Sequence, residues 1–290
     1  MRDTEKLNPR SKGLDALPVD DFLKLMYEES RKAFDAVGPA LEQIGEIVRA
    51  GVASIRGGGK VYYAGAGTSG RLGAIDAAEV KPTFGSDSFD AVIAGGPEAM
   101  LKAIEGAEDD SNEARRLAGR VKKRDLVIGI SASGRTPFVT AFLKEAKKRG
   151  AAAWLISSNP VKLKIKNDFL NGMVVLPTGP ELIAGSTRLN AATAQKLCLN
   201  LISTAIMVQL GGAYDGYMVG VVPANKKLVE RAKRIISACT GENDEEAGRY
   251  LEAAGMNVKT AIVMLAKKVS RGEAEKLLAK NRGRLCGLLP

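Results

Sequence analysis

At 290 residues, 45% of them hydrophobic, the chain has length for one or two domains and enough apolar side chains to bury a full core. Its 43 Lys and Arg against 33 Asp and Glu leave a net charge of +10. A solvated basic surface is the first reading of that charge, an anionic ligand the second and nucleic acid the third. There is no histidine, which excludes the commonest general base, the Ser–His–Asp triad and most catalytic zinc sites, and leaves acid–base work to Asp, Glu, Lys, Tyr or Cys.

In chain order, residues 1–18 read as a polar arm, and Asp20 to about Arg56 as helix broken near Gly38-Pro39, with Leu41, Ile44, Ile47 and Val48 at helical spacing. Strand and helix then alternate. Short apolar runs at Lys60–Ala64, Ala91–Ala94, Asp125–Ile130, Ala152–Ile156 and Met173–Leu176 predict five strands. Helices are expected at Ser69–Ala78, Pro97–Val121 and Thr136–Arg149. That order is α/β: a parallel sheet sandwiched by helices, with right-handed crossovers. A long helix from Ser186, capped by Ser186 or Thr187, should end at Gly211-Gly212. From Pro223 on the pattern is helical, with breakers at residues 240–244 and 255–257 and Asp244 as a cap, so a small C-terminal helical subdomain is expected. The expected division is therefore 1–56, 57–222 and 223–290. The last part holds 14 bases against 8 acids, so the positive charge is not concentrated around the glycine-rich segment at residues 65–70.

Cys198, Cys239 and Cys286 are too far apart for a zinc cage or disulfide framework and read as buried free thiols. No run of 18 apolar residues points to a membrane span, and the charged N-terminus has no secretory h-region, so a cytoplasmic protein is expected. No basic recognition helix precedes the first strand, so no nucleic acid is expected as a partner.

Gly65-Ala66-Gly67-Thr68-Ser69-Gly70 fits G-x-G-x-x-G between a strand and a helix, as a dinucleotide site would. Such a site also needs an acid at the end of the next strand for the ribose hydroxyl. Asp90 lies ahead of the expected strand and Gly95-Gly96 follow it, so the requirement fails. A structural glycine turn is one alternative. A second loop of the same build, Ser131-Ala132-Ser133-Gly134-Arg135-Thr136, favours another. Hydroxyls and backbone N–H groups at two helix N-termini suit a phosphorylated sugar, with Thr68, Ser69, Ser131, Ser133 and Thr136 as phosphate candidates.

Together, "GAGTSGRLGAIDAAE", "AIEGAEDD", "GISASGRTPFV" and "AGSTRLNAATAQKLCLNLIST" resemble the N-acetylmuramic acid 6-phosphate etherases. These are sugar isomerase (SIS) domain proteins, similar also to the glucokinase regulatory protein, and the likeness spans nearly the whole chain. The resemblance implies a cofactor-free lyase of cell-wall sugar recycling. It would cleave the D-lactyl ether of a phosphorylated amino sugar to N-acetylglucosamine 6-phosphate and D-lactate. It assigns Glu79 as the acid that protonates the leaving lactate and Glu108 as its partner base. Glu181, Ser186 and Lys226 follow as further substrate contacts. Burial beside Val80 and Pro82 is expected to help raise the Glu79 carboxyl toward neutrality. Two departures stand out: Glu79 is followed by Val80-Lys81-Pro82-Thr83 where E-C-P-P-T is frequent, and Asn190 and Ala192 replace a usual Lys and Gly.

Glu79 is ten residues past Ser69, about 15 Å along a helix. One subunit could not then bring both to one ligand, and a homodimer with a shared active site is expected. The alternatives are an aldose–ketose phosphosugar isomerase, which would ordinarily use a histidine to open the ring, and a non-catalytic phosphosugar-binding regulator.

Overall fold

The computed structural model describes residues 3–160 and 169–289. These fall into two compact units, one of residues up to Ala77 with Ser88–Ser203, the other of Ala78–Asp87 with residues from Thr204 on.

In the first unit, α1 (Val19–Asp35) and α2 (Leu41–Arg56) are separated by the expected break, a 3-10 turn at Gly38–Ala40. Five parallel strands follow: β1 (Val61–Gly65), β2 (Phe89–Ile93), β3 (Leu126–Ile130), β4 (Ala152–Ser157) and β5 (Gly172–Val175), in the order β2-β1-β3-β4-β5. Their apolar runs reflect burial on both faces. On one side Tyr62, Val127 and Leu155 meet Phe138, Phe142 and Leu143 of α5 (Pro137–Lys148). On the other, α2 turns Ile44, Ile47 and Gly51 inward and packs on β1, β3 and β5. β2 starts two residues earlier than the apolar run suggested, and Asp90 sits near its beginning, still the wrong end for a ribose.

Register fixes the site. Val61 pairs with Leu126 and Gly65 with Ile130, so the loops leaving β1 and β3 emerge side by side. The strand order reverses between these two strands, and in open α/β sheets such a switch point opens a crevice at the carboxyl ends. The glycines of the first loop have distinct tasks. A β-carbon on Gly65 would lie 2.7 Å from the Gly70 Cα, and one on Gly70 would lie 2.8 Å from the Gly65 carbonyl oxygen. They let β1 and α3 (Gly67–Phe84) touch backbone to backbone. Gly67 has φ +53 with nothing within 4 Å of its missing side chain.

Several expectations need correction. The apolar residues of 97–121 do not make one helix. The segment forms 3-10 turns at Pro97–Met100 and Ala107–Asp109, then α4 (Ser111–Leu117). Gly106 takes φ 72, and Asp110 caps α4 through the N–H groups of Asn112 and Glu113. The long helix α6 (Asn190–Gln209) begins four residues late. Its cap is not Ser186 or Thr187 but the buried Glu181, whose two oxygens accept the N–H groups of Asn190 at 3.0 Å and Ala191 at 2.9 Å. One carboxylate thereby satisfies two terminal donors, where a hydroxyl would satisfy one. α6 is also apolar enough, at a mean hydropathy of 1.3, to match a membrane span by composition. More than half of it is buried, as in the core helix of a soluble fold. Of the cysteines, Cys198 is buried, Cys239 half-buried and Cys286 exposed, so the expectation of three buried thiols holds in full only for Cys198 and fails for Cys286.

The arm of residues 3–16 is docked rather than loose. Asn159, just past β4, accepts the N–H of Asp3 at 2.9 Å and donates to the Thr4 hydroxyl at 3.0 Å. Asn8 donates to the Pro180 carbonyl at 3.0 Å and to Glu29 of α1 at 2.8 Å, and Ser11 donates to the Leu182 carbonyl at 2.6 Å.

In the second unit, α7 (Lys226–Thr240), α8 (Asp244–Ala253), α9 (Val258–Lys267) and α10 (Arg271–Lys280) enclose a core that includes Ile236, Leu251, Ile262, Val263 and Leu278. Asn225, Asn243, Asn257 and Ser270 cap the four helices. Asn243, not Asp244, caps α8; its side chain reaches the Glu246 N–H, and Asp244 becomes the first helical residue.

Candidate active site

A cavity of about 520 Å³ opens at the carboxyl ends of β1 and β3. Thr68 and Ser69 reach it from the first turn of α3, and Ser131, Ser133 and Thr136 from the loop before α5. All five predicted hydroxyl residues therefore line one space.

The second loop is pre-ordered. Ser131, 2% exposed, places its Oγ 2.8 Å from Thr136 Oγ1 and 3.3 Å from Ser133 Oγ. Ser133 Oγ accepts the Arg135 N–H at 3.2 Å. Thr136 is the N-cap of α5 but makes no side-chain cap bond, because its hydroxyl is turned to Ser131. The first N–H groups of α5 are left for another acceptor, and the helix dipole favours a negative one. In the first loop, Ser69 Oγ donates to Oε1 of the buried Gln195 on α6 at 2.9 Å.

Glu108 also lines the cavity, carried by the short turn after Gly106. Its neighbour Asp109 lines it too, as do Arg135, Gly185, Thr187 and, from the arm, Glu5. Sequence reasoning passed over these. Arg135 and Thr187 adjoin residues it had marked. Glu5 gave no local sign, since its place depends on a partner more than 150 residues away in sequence.

Other candidates lie elsewhere. Glu79 is exposed on α3, ten residues and about 15 Å of helix beyond Ser69. The burial expected beside Val80 and Pro82 is not supplied by this chain, although Val80 itself is buried. One turn before Glu79, Asp76 accepts hydrogen bonds from the Tyr63 phenol at 3.1 Å and from Lys196 at 2.8 Å, which fixes the rotation of α3. Burial, with the Asp76 charge, pushes the Tyr63 phenol far up, so it stays protonated and donates to Asp76. Ser186 is half-buried between Gly185 and Thr187. Glu181 faces a separate cavity of about 130 Å³ with Glu29 and Arg188. Burial raises its carboxyl, partly offset by the two backbone N–H groups it holds. Lys226 is the exposed first residue of α7 in the helical unit. Among the described residues no group of three or more Cys, Asp or Glu could hold a metal ion.

Residues 43–147 match the family model for the glucokinase regulatory protein N-terminal SIS domain. The solved structure of E. coli CFT073 c3406 superposes with a TM-score of 0.50 at 19% identity, covering 67% of this chain and 93% of that one, a likeness of fold. Curated relatives are far nearer in sequence. The N-acetylmuramic acid 6-phosphate etherase of Geobacillus thermodenitrificans (strain NG80-2) is 47% identical over 97% of this chain and 96% of its own. That of Shouchella clausii (strain KSM-K16) is 46% identical over 97% and 95%. At such identity over nearly its whole length, the chain belongs to the N-acetylmuramic acid 6-phosphate etherase family.

Proposed function

We propose that the protein cleaves the D-lactyl ether of N-acetylmuramic acid 6-phosphate, giving N-acetylglucosamine 6-phosphate and D-lactate, as a cytoplasmic step of peptidoglycan recycling. The observation that carries this reading is the meeting of five hydroxyl residues, an uncapped helix N-terminus and Glu108 in one cavity of a chain of this family.

The phosphate is held by the loop of Ser131, Ser133 and Thr136 together with Thr68 and Ser69. In the open-chain sugar the C1 aldehyde acidifies the C2 proton. Glu108 removes that proton, the C2–C3 double bond forms, and the C3–O bond breaks. Glu79 protonates the departing lactate oxygen, then takes a proton from the water that adds at C3, while Glu108 returns a proton to C2. An acid and a base suffice for these steps. Glu79 comes from a second copy, since in its own chain it stands some 15 Å of helix from Ser69. Ser186 and Lys226 complete the binding set, and Glu181 contributes through the start of α6. A phosphosugar isomerase is disfavoured by the absence of histidine. A regulator is the second reading, favoured by the match of residues 43–147 to a regulatory protein's domain.

The test is D-lactate release from N-acetylmuramic acid 6-phosphate. Wild type should release it, while Glu108→Ala and Glu79→Ala should lose at least a hundredfold in kcat, in line with general acid–base catalysis worth about 10²–10⁴. Sugar binding without lactate release would favour the regulator. Solvent deuterium at C2 of the product is expected for elimination and not for direct displacement at C3.

A further inference from the structure

We propose that Glu5, carried by the docked N-terminal arm, binds the substrate by accepting a hydrogen bond from an N–H or O–H donor of the amino sugar. The inference rests on the phosphosugar reading of the cavity and adds a contact to it.

The arm is fastened on both sides of Glu5. Before it, Thr4 is fully buried and, with Asp3, is tied to Asn159. After it, Asn8 is 1% exposed and tied to Glu29 and Pro180. A residue between two such anchors has little freedom in where its backbone lies. The Glu5 side chain faces the cavity, and its Oε2 lies 3.5 Å from where a β-carbon on Gly185 would stand. Gly185, at φ +75, leaves that space open to the carboxylate.

Among the described residues the Glu5 carboxylate has no hydrogen-bond or ion-pair partner. The other charged groups lining the cavity are Glu108, Asp109 and Arg135. Arg135 belongs to the hydroxyl loop assigned to phosphate. A third carboxylate would repel a phosphate group brought close to it, so its useful partner is the neutral part of the ligand. Free N–H and O–H groups of a sugar are such donors, and a hydrogen bond to an ionised acceptor is worth about tenfold or more in affinity.

The experiment compares wild type, Glu5→Gln and Glu5→Ala. Both variants should melt with wild type, because Glu5 is exposed and makes no bond within the fold. KM for lactate release should rise about tenfold or more, with kcat within about threefold. Calorimetric binding of N-acetylglucosamine 6-phosphate should weaken by the same factor, a readout that needs no turnover. Inhibition by inorganic phosphate should stay within about twofold, since phosphate uses the other end of the site. Unchanged sugar binding in both variants would overturn the proposal. Equal weakening of sugar and phosphate would overturn it too, by marking Glu5 as a prop for the whole cavity. Failure of wild type to release lactate would count against the etherase reading alone, because the binding comparison stands without it.

Discussion

Replacing Asn159 by alanine should free the start of the N-terminal arm, ahead of the anchor at Asn8. Asn159 is 4% exposed and makes three well-placed bonds that alanine cannot: to the Thr4 hydroxyl at 3.0 Å, to the Ala132 carbonyl at 2.9 Å and from the Asp3 N–H at 2.9 Å. A fourth contact, from the Thr4 N–H at 3.5 Å, is too long to add much. Two of the three reach the arm, those with Asp3 and Thr4, and at about 1 kcal/mol each they amount to about 2 kcal/mol. Most of this should appear as local opening, because only the arm gains freedom and its buried Thr4 regains water when it leaves. An opening equilibrium shifted by about 2 kcal/mol is a change of about thirtyfold. Limited trypsin digestion under native conditions reads it directly at Lys6, which lies between the residues tied to Asn159 and the anchor at Asn8. Cleavage there in Asn159→Ala should run about thirty times faster than in wild type when opening is rapid relative to cutting. A rate within about threefold of wild type would refute the reasoning, because the first residues of the arm would then be held by something other than these bonds.

The two glycines of the first loop should respond differently. Gly70→Ala brings a methyl to 2.7 Å from Ile93 Cγ1 and 2.8 Å from the Gly65 oxygen, so chemical denaturation should show a loss of about 1–3 kcal/mol. Gly67→Ala meets nothing within 4 Å and should lose only about 1 kcal/mol, from its positive φ. Burial would raise the Glu29 carboxyl, but the hydrogen bonds from Lys32, Asn8 and Arg10 together hold it below the ordinary 4.5. Its stabilising contribution is therefore complete above about pH 4.5 and is lost as the pH falls through the lower folded value. Glu29→Gln should flatten that acid limb in thermal melts, and an unchanged limb would contradict the assignment. Among the thiols, exposed Cys286 should react first with a disulfide reagent. Cys198 should react only on unfolding, because burial, with a smaller push from Asp76, carries it up to about 12.

The strands were legible because a parallel sheet covered on both faces demands uninterrupted apolar runs, and glycines bound several of them. The hydroxyl loops were legible for a similar reason: few segments place Ser and Thr so densely between a strand and a helix. The segment 97–121 misled because apolar residues there need not be core. Leu101 is 91% exposed, and Gly106 stops the helix in a left-handed turn. Glu181 could not be read as a cap, since it lies nine residues before the helix whose N–H groups it holds. Glu5 was invisible for the same kind of reason. Its position follows from Thr4 and Asn159 meeting across the fold, a contact that no local pattern encodes.

The shared site itself is tested most directly by mixing two inactive chains. One carries Glu79→Ala, the other Ser131→Ala with Thr136→Ala in the phosphate loop. If each site takes its loop from one copy and Glu79 from the other, every mixed dimer holds one intact site. Random re-pairing of equal amounts should then restore about a quarter of wild-type D-lactate release. A mixture no more active than its parents would contradict the account.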